Sequence, residues 1–441
     1  MYSLPVLGLF VVTAHLARSA SGEMMFGSAS DSSSVGLSDD CPVAVAPNRS
    51  GSCYCTTLMD IHCRDLDAVP EFLPFGSSFY GLHITRQSIV EITPEAFRNL
   101  RVTTILMNFN PIGQRLDLQA FVGLETVLQE LQLGGCQIPR LREGFLTGME
   151  ELRYLHLWAN LLTRIPPGVF KEATNLRELL LWGNAIDNLD DNSFAGLWNL
   201  RRLDLDRNKI STLKQDTFRH LLELEVLHLG ENNINILYGE TFLHMEKLKV
   251  LNLDGNRISI ILPNAFGGLS NLLNLILSQN SIEYIPDHAF DNLHNLTGLW
   301  LHENSLQYIW KTTFAGLHSL RQIHLSRNLI KHLPIGAFHQ SPELRHLFLE
   351  DNQFLSLRRC PLENPDRLRT LSLVGNPVEC NCTLVWTLEL VQKQGTTIWG
   401  NSCMHKLSGK EARNDRNRYP VNRYHQLLAS CTFEHDDCSR E

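Results

Sequence analysis

The sequence predicts a solenoid of the α/β type: a curved stack of short coils with one parallel concave sheet and disulfide-bonded caps. Three observations predict it. Asparagine returns every 24 residues from Asn160 to Asn376, leucines keep fixed offsets around each asparagine, and cysteines crowd towards the two ends of the chain. Of 441 residues, 43% are hydrophobic and 20% charged, so there is enough apolar surface to bury a core rather than stay disordered. The net charge of −8 (39 basic against 47 acidic residues) argues against a nucleic-acid coat or a polybasic membrane binder.

Taken in order, residues 1–20 carry an apolar stretch from Leu4 to Val12, followed by small residues at Ser19, Ala20, Ser21 and Gly22. That is the pattern of a secretory signal peptide cut between Ala17 and Gly22, although no Lys or Arg precedes the apolar part. Residues 21–40 are rich in Ser and Asp and are expected to form a flexible acidic leader. An N-terminal cysteine-rich cap is expected over 41–78, the repeats over 79–376, a C-terminal cysteine-rich cap over 377–431 and a polar tail over 432–441. After residue 20 no apolar run approaches the ~18 residues of a membrane span, and the tail has no signal for a lipid anchor. The mature chain is expected to be exported and unanchored.

Each repeated asparagine sits in L-x-x-L-x-L-x-x-N-x-[hydrophobic], as in Leu200, Leu203, Leu205, Asn208 and Ile210. A phenylalanine follows ten residues later at Phe170, Phe194, Phe218, Phe242, Phe266, Phe290, Phe314 and Phe338. Three degenerate copies come first, at Leu82/Ile84/Gln87, Ile105/Met107/Asn110 and Leu131/Leu133/Cys136. This is the leucine-rich repeat pattern, about thirteen copies in all. Within x-L-x-L-x the period is two, so the leucines share one face and the intervening residues the other. No single copy can bury its leucines, whereas stacked copies form one continuous core. At ~4.8 Å per strand the array is on the order of 60 Å long. Phenylalanine fills the far side of each coil, and the asparagine side chain satisfies buried amides where the chain leaves the strand. Cys136 takes that place in the third copy as a small buried hydrophobe.

An open stack needs caps, and the cysteines stand where caps belong. Cys41, Cys53, Cys55 and Cys63 precede the repeats, while Cys380, Cys382, Cys403 and Cys431 follow them, opening with Asn376-Pro377-Val378-Glu379-Cys380-Asn381-Cys382. In these motifs the chain resembles the extracellular leucine-rich repeat proteins with cysteine-rich N- and C-terminal flanks, such as Slit, the Nogo receptor and Toll ectodomains. The resemblance implies a leucine-rich repeat horseshoe and the bridges Cys41–Cys55, Cys53–Cys63, Cys380–Cys403 and Cys382–Cys431. Cys136, Cys360 and Cys438 are left over; Cys360 and Cys438 can pair with each other, or Cys438 can bridge to another molecule. A zinc site at the C-x-C pairs is disfavoured by export and by the cap positions. Asn48, Asn295 and Asn381 open N-x-[ST] glycosylation sequons.

With the asparagines setting the register, the outward strand residues can be read. Tyr154, His156, Trp158, Leu180 and Trp182 fall on neighbouring strands and should form one patch, where two tryptophans suit an interface centre better than water. A second patch would combine Trp300, His302, His324, His346, Phe348 and Glu350. Asp204, Asp206, Glu231 and Asp254 would make an acidic middle between them. Asp204, Asp206 and His228 have the chemistry to bind a metal, but solvated surface carboxylates are the preferred reading, and no metal or other cofactor is expected. Lys406, Lys410, Arg413, Arg416, Arg418 and Arg423, diluted by Glu411 and Asp415, give the C-terminal flank a basic face; a solvated cap surface is the preferred reading, and an acidic partner or sulfated glycan the alternative.

No nucleophile elbow, metalloprotease H-E-x-x-H or phosphate-cradling loop is present, and Ser, His and Asp are dispersed over the repeats, so an enzyme is not expected. The expected function is a secreted recognition protein that binds an extracellular protein ligand or cell-surface receptor through the concave face, in adhesion, guidance or immune recognition. The alternative is a structural matrix or carrier scaffold that binds matrix proteins or glycans; salt-released retention on heparin would distinguish it. Neither nucleic acid nor a membrane is an expected partner. Expression in animal cells should place the protein in the medium with Cys380 and Cys382 oxidised. Free thiols at both positions in the exported protein would overturn the cap assignment.

Overall fold

A coil of 24 residues can give only a short strand to the sheet before the chain must turn back, and the strands of the regular repeats are three residues long, as in Arg202–Asp204 and Val226–His228. The computed structural model describes residues 51–378 except 57, 73–77, 114–115, 117–118 and 363–366, together with 395–399 and the strand backbones Val43–Ala44, Ser402–Met404 and Arg418–Pro420. One 16-stranded sheet runs through the described residues. It starts with an antiparallel hairpin, Ser52–Cys55 on Asp60–Arg64, and continues in parallel, strand beside strand, to Thr397–Trp399. Leu179, Leu203, Leu227 and Leu251 lie opposite one another in register, a shift of one coil per strand. The chain is therefore a leucine-rich repeat solenoid with a parallel concave sheet. Its returning segments are turns, with a minor parallel pair at Ile236–Leu237 and Ile260–Ile261; among the described residues no α-helix forms. Too little of each coil remains after the strand and its turn for a helix of ordinary length. No described helix is long and apolar enough to cross a membrane.

The leucine pattern produces the core that its spacing implies. In one coil Leu200, Leu203, Leu205, Ile210, Leu213, Phe218 and Leu221 are all buried. The phenylalanines form a column along the far side, with Phe218 6.1 Å from both Phe194 and Phe242, and Phe314 5.0 Å from Phe338.

Asparagine joins each coil to the one before it. Asn232 Nδ2 donates to the carbonyl of Leu229 in its own turn (3.1 Å) and to that of Leu205 one coil back (2.9 Å). Its Oδ1 accepts the amide of Ile210, also one coil back (3.0 Å). The same three contacts recur at Asn160, at Asn304 and finally at Asn376. Gln87 performs part of this task in the first repeat, accepting the Leu66 amide (3.0 Å). Cys136 performs less of it. Its thiol donates to the Met107 carbonyl (3.2 Å), and burial pushes its pKa up to about 11 against the pull of the Asn110 and Phe109 backbone. The residue before the asparagine takes a left-handed backbone: Arg207 (φ 56°), Glu231 (φ 50°), Gln279 (φ 53°) and Arg327 (φ 53°), with Gly183, Gly255 and Gly375 in the same place. For a residue with a Cβ that conformation costs about 1–2 kcal/mol, so the buried bonds of the asparagine must outweigh it.

Cys53 and Cys63 are bonded across the first hairpin, and Cys55 and Cys360 are each disulfide-bonded to a cysteine outside the described residues. Cys136 is a buried free thiol. The signal, leader and tail, the sequons at Asn48 and Asn381, the expected pairs Cys380–Cys403 and Cys382–Cys431, and most of the basic flank also lie outside the described residues. Asn295 is exposed, with Nδ2 donating to the Ser270 carbonyl at 2.9 Å.

Leu229→Ala should destabilise by about 2–5 kcal/mol through lost burial and a cavity. Asn232→Ala should cost ~1–3 kcal/mol, because it orphans a buried amide and two carbonyls. His228→Ala, whose side chain is 23% exposed beside Asp206, should cost less than either. Chemical denaturation of the three variants checks this order, and His228→Ala as damaging as Leu229→Ala would mean the register is misread.

Candidate protein-binding face

In each short strand the central residue faces the core and its two neighbours face the concave side. Strand pairing aligns Gln132, His156, Leu180, Asp204, His228, Asn252, Ile276, Trp300, His324, Phe348 and Ser372 into one column. The column follows from the strand period, but its exposure does not. His156, Leu180, Asp204 and Trp300 are only 6%, 4%, 7% and 9% exposed. Period two tells which face a side chain takes; it does not tell how far neighbours about 4.8 Å away on either side will cover it.

The early residues do come together. Trp158 and Trp182 stack with centroids 5.2 Å apart and planes 4° from parallel. Phe109 meets Trp158 edge-on at 5.2 Å, and the Arg86 guanidinium lies over Phe109 at 5.4 Å. Two glycines make this contact possible. A Cβ on Gly134 would sit 2.2 Å from the Trp158 ring, and one on Gly135 would sit 2.6 Å from the Phe109 ring. The intervening coil thus withdraws its side chains and the aromatic rings close over its backbone. Phe109 and Tyr154 are exposed, while both indoles are half-buried. Phe109 and Arg86 were missed by the sequence reading, and the Gly134-Gly135 pair was the available signal.

Beside this aromatic ladder runs a chain of charges. His156 Nε2 is 2.9 Å from Glu178, which lies 3.8 Å from Arg202; Arg202 is 3.7 Å from Asp204. Burial alone would raise the Glu178 pKa, but the hydrogen bond from His156 and the charges of His156 and Arg202 bring it below its ordinary value. Asp204 is shifted up, first by burial and then by Asp206, against the pull of His228 and Arg202. Glu231, the other expected acidic residue, pairs with Arg207 at 2.9 Å.

The second patch is a stack. His324 lies between Trp300 (5.6 Å) and Phe348 (4.3 Å), with His302 edge-on at 6.3 Å. The Trp300 ring also lies against Gly298, where a Cβ would stand 2.4 Å from it. Burial, then the neighbouring His302 and His346, hold the His324 pKa down to about 3.

The leucine rich repeat family model matches in overlapping segments that together run from residue 126 to residue 378. No curated protein matches the chain. Among solved structures, the chain is similar to one in the Toll–Spatzle complex of Drosophila (TM-score 0.62, 21% identity, 78% of this chain and 54% of that one). It is likewise similar to one in the octameric complex of Latrophilin 3, Unc5D and FLRT2 (LRR) (TM-score 0.58, 24% identity, 78% and 95%). A third similarity is to the TLR13–ssRNA13 complex (TM-score 0.51, 23% identity, 73% and 57%). The chain therefore spans little more than half the length of the Toll and TLR13 chains.

The His324 sandwich carries a pH dependence. An unfolded histidine takes up a proton below about pH 6.5, whereas folded His324 resists it down to about 3. The unfolded state binds more protons within that window, so stability must fall as pH drops from about 6.5 towards 3. His324→Phe should melt with a smaller loss between pH 7 and 5 than the wild type, by on the order of a few °C. Equal losses in the two proteins would show that the imidazole is not held neutral.

Proposed function

Because the chain belongs to the leucine-rich repeat family, we propose that it is a secreted recognition protein that binds an extracellular protein ligand or receptor through the concave face around Trp158 and Trp182. One observation carries the reading: stacked indoles, extended by Phe109 and Arg86 and bordered by Tyr154, lie partly open to solvent on the sheet. Large aromatic area on a rigid sheet loses little conformational entropy on docking, and the neighbouring Glu178–Arg202 charges add polar specificity. Toll in its complex with Spatzle, and FLRT2 (LRR) in its complex with Latrophilin 3 and Unc5D, are proteins of this fold bound to other proteins, which supports a protein partner. The TLR13 structure contains single-stranded RNA, but Asp204, Asp206, Glu231 and Asp254 along the middle of this face would repel a phosphate backbone. The Cys53–Cys63 bridge supports an oxidising, extracellular setting. Action is by binding rather than catalysis.

Proximity labelling with the secreted protein on living tissue would identify the partner. Trp158→Ala and Trp182→Ala should then weaken binding by about thirtyfold or more, equivalent to roughly 2 kcal/mol, while secretion and melting temperature change little. If both variants bind as tightly as wild type while Trp300→Ala is weakened, the partner uses the second patch. If all three bind normally, the concave-face proposal fails.

A further inference from the structure

Asp60, His62 and His83 gather at the N-terminal edge of the sheet, apart from the aromatic ladder. The strands Asp60–Arg64 and Phe79–His83 are parallel, with Asp60 opposite Gly81 and His62 opposite His83. Side chains alternate along a strand, so Asp60 and His62 share a face and His83 joins them from the paired strand. The two imidazoles lie 4.2 Å apart, and His83 Nε2 is 3.7 Å from Asp60 Oδ1. One ligand atom from each residue lies within 4.8 Å of the other two.

Two further observations point to a ligand. Asp60 Oδ1 is buried yet accepts no hydrogen bond, whereas a buried carboxylate oxygen ordinarily has a partner. Gly81, facing it, leaves open the space that a side chain would fill: a Cβ there would stand 2.8 Å from Asp60 Oδ1 and 3.0 Å from His83 Nε2.

We propose that Asp60, His62 and His83 bind a divalent transition metal ion, with zinc the best match to two imidazoles and one carboxylate. Ligands about 2.0–2.1 Å from a tetrahedral zinc stand about 3.4 Å apart, so the His83–Asp60 pair needs only a small contraction, with His62 turning its ring nitrogen inward. The metal would clip the first hairpin to the first repeat strand. The trio Asp204, Asp206 and His228 also has ligand atoms within 4.8 Å of one another. Its carboxylates are already engaged, Asp204 Oδ1 by the Asp206 amide (3.1 Å) and Asp206 Oδ1 by the Gly230 amide (2.5 Å). That trio serves as the control.

The test uses the full secreted protein, stripped with a chelator and titrated with zinc by calorimetry and with cobalt(II) by visible absorption. One equivalent should bind, produce the absorption of imidazole-ligated cobalt and raise the melting temperature of the metal-free protein. Asp60→Asn and His83→Gln, each first shown to be folded by its metal-free melt, should weaken zinc binding at least roughly tenfold. Asp204→Asn should bind as wild type does. Absence of binding in the wild type would overturn the proposal. So would binding that survives both cap variants but is lost in Asp204→Asn.

Discussion

Everything in this molecule depends on one recurring arrangement, an asparagine whose amide reaches back to the preceding coil. A leucine core is greasy and non-directional and would tolerate coils sliding past one another. The asparagine supplies direction: its carbonyl oxygen takes an amide from the earlier coil and its nitrogen takes a carbonyl, so neighbouring coils have one satisfied register. That demand explains features that otherwise look unfavourable. Residues such as Arg207 and Glu231 accept a left-handed backbone because it aims the next side chain into the core side of the turn. Once the turns align, so do the three-residue strands, and the outward columns become a surface with a fixed spacing.

How much of this was legible in the chain differs between the scaffold and its face. Leu203, Asn208 and Phe218 announce themselves by period, because the same physical task recurs in every coil. The order of the outward column, from Gln132 to Ser372, follows from that period too. Its burial does not, because Leu180 and Trp300 are covered by whatever the adjoining coils present, and those residues obey no repeat. Phe109 and Arg86 stayed hidden because they lie in the irregular early coils, where in-register strand residues are 21, 23 and then 26 apart (Ile61, Leu82, Ile105, Leu131). Phe109 lies against Gly135 and Arg86 lies over Phe109, contacts between coils that the glycine pair hints at but whose partners no window of local sequence contains. The cluster of Asp60, His62 and His83 was invisible for a related reason: it spans a capping hairpin and the first repeat, two elements with no common period.

The face divides its chemistry by position. Aromatic rings and a cation occupy the early coils, carboxylates and their basic partners the middle, and a second aromatic stack with imidazoles the later coils. In the middle, Arg202 touches both Glu178 and Asp204, so part of the negative charge is neutralised within the surface. A partner meeting this face encounters apolar area at two places with a polar strip between them. That separation favours one preferred orientation over non-specific adhesion.

Cys136 interrupts the regular join. An asparagine makes two bonds across each junction; here the thiol makes one, to the Met107 carbonyl. In a quasi-one-dimensional protein, cooperativity is transmitted from neighbour to neighbour, so this junction leans on other bonds: Asn108 Nδ2 donates to Gln132 (2.7 Å) and Asn108 Oδ1 accepts the Gly134 amide (2.7 Å). The aromatic ladder spans this seam, with Phe109 on one side and Trp158 on the other. These rings therefore add apolar contact across the junction where a thiol replaces the asparagine.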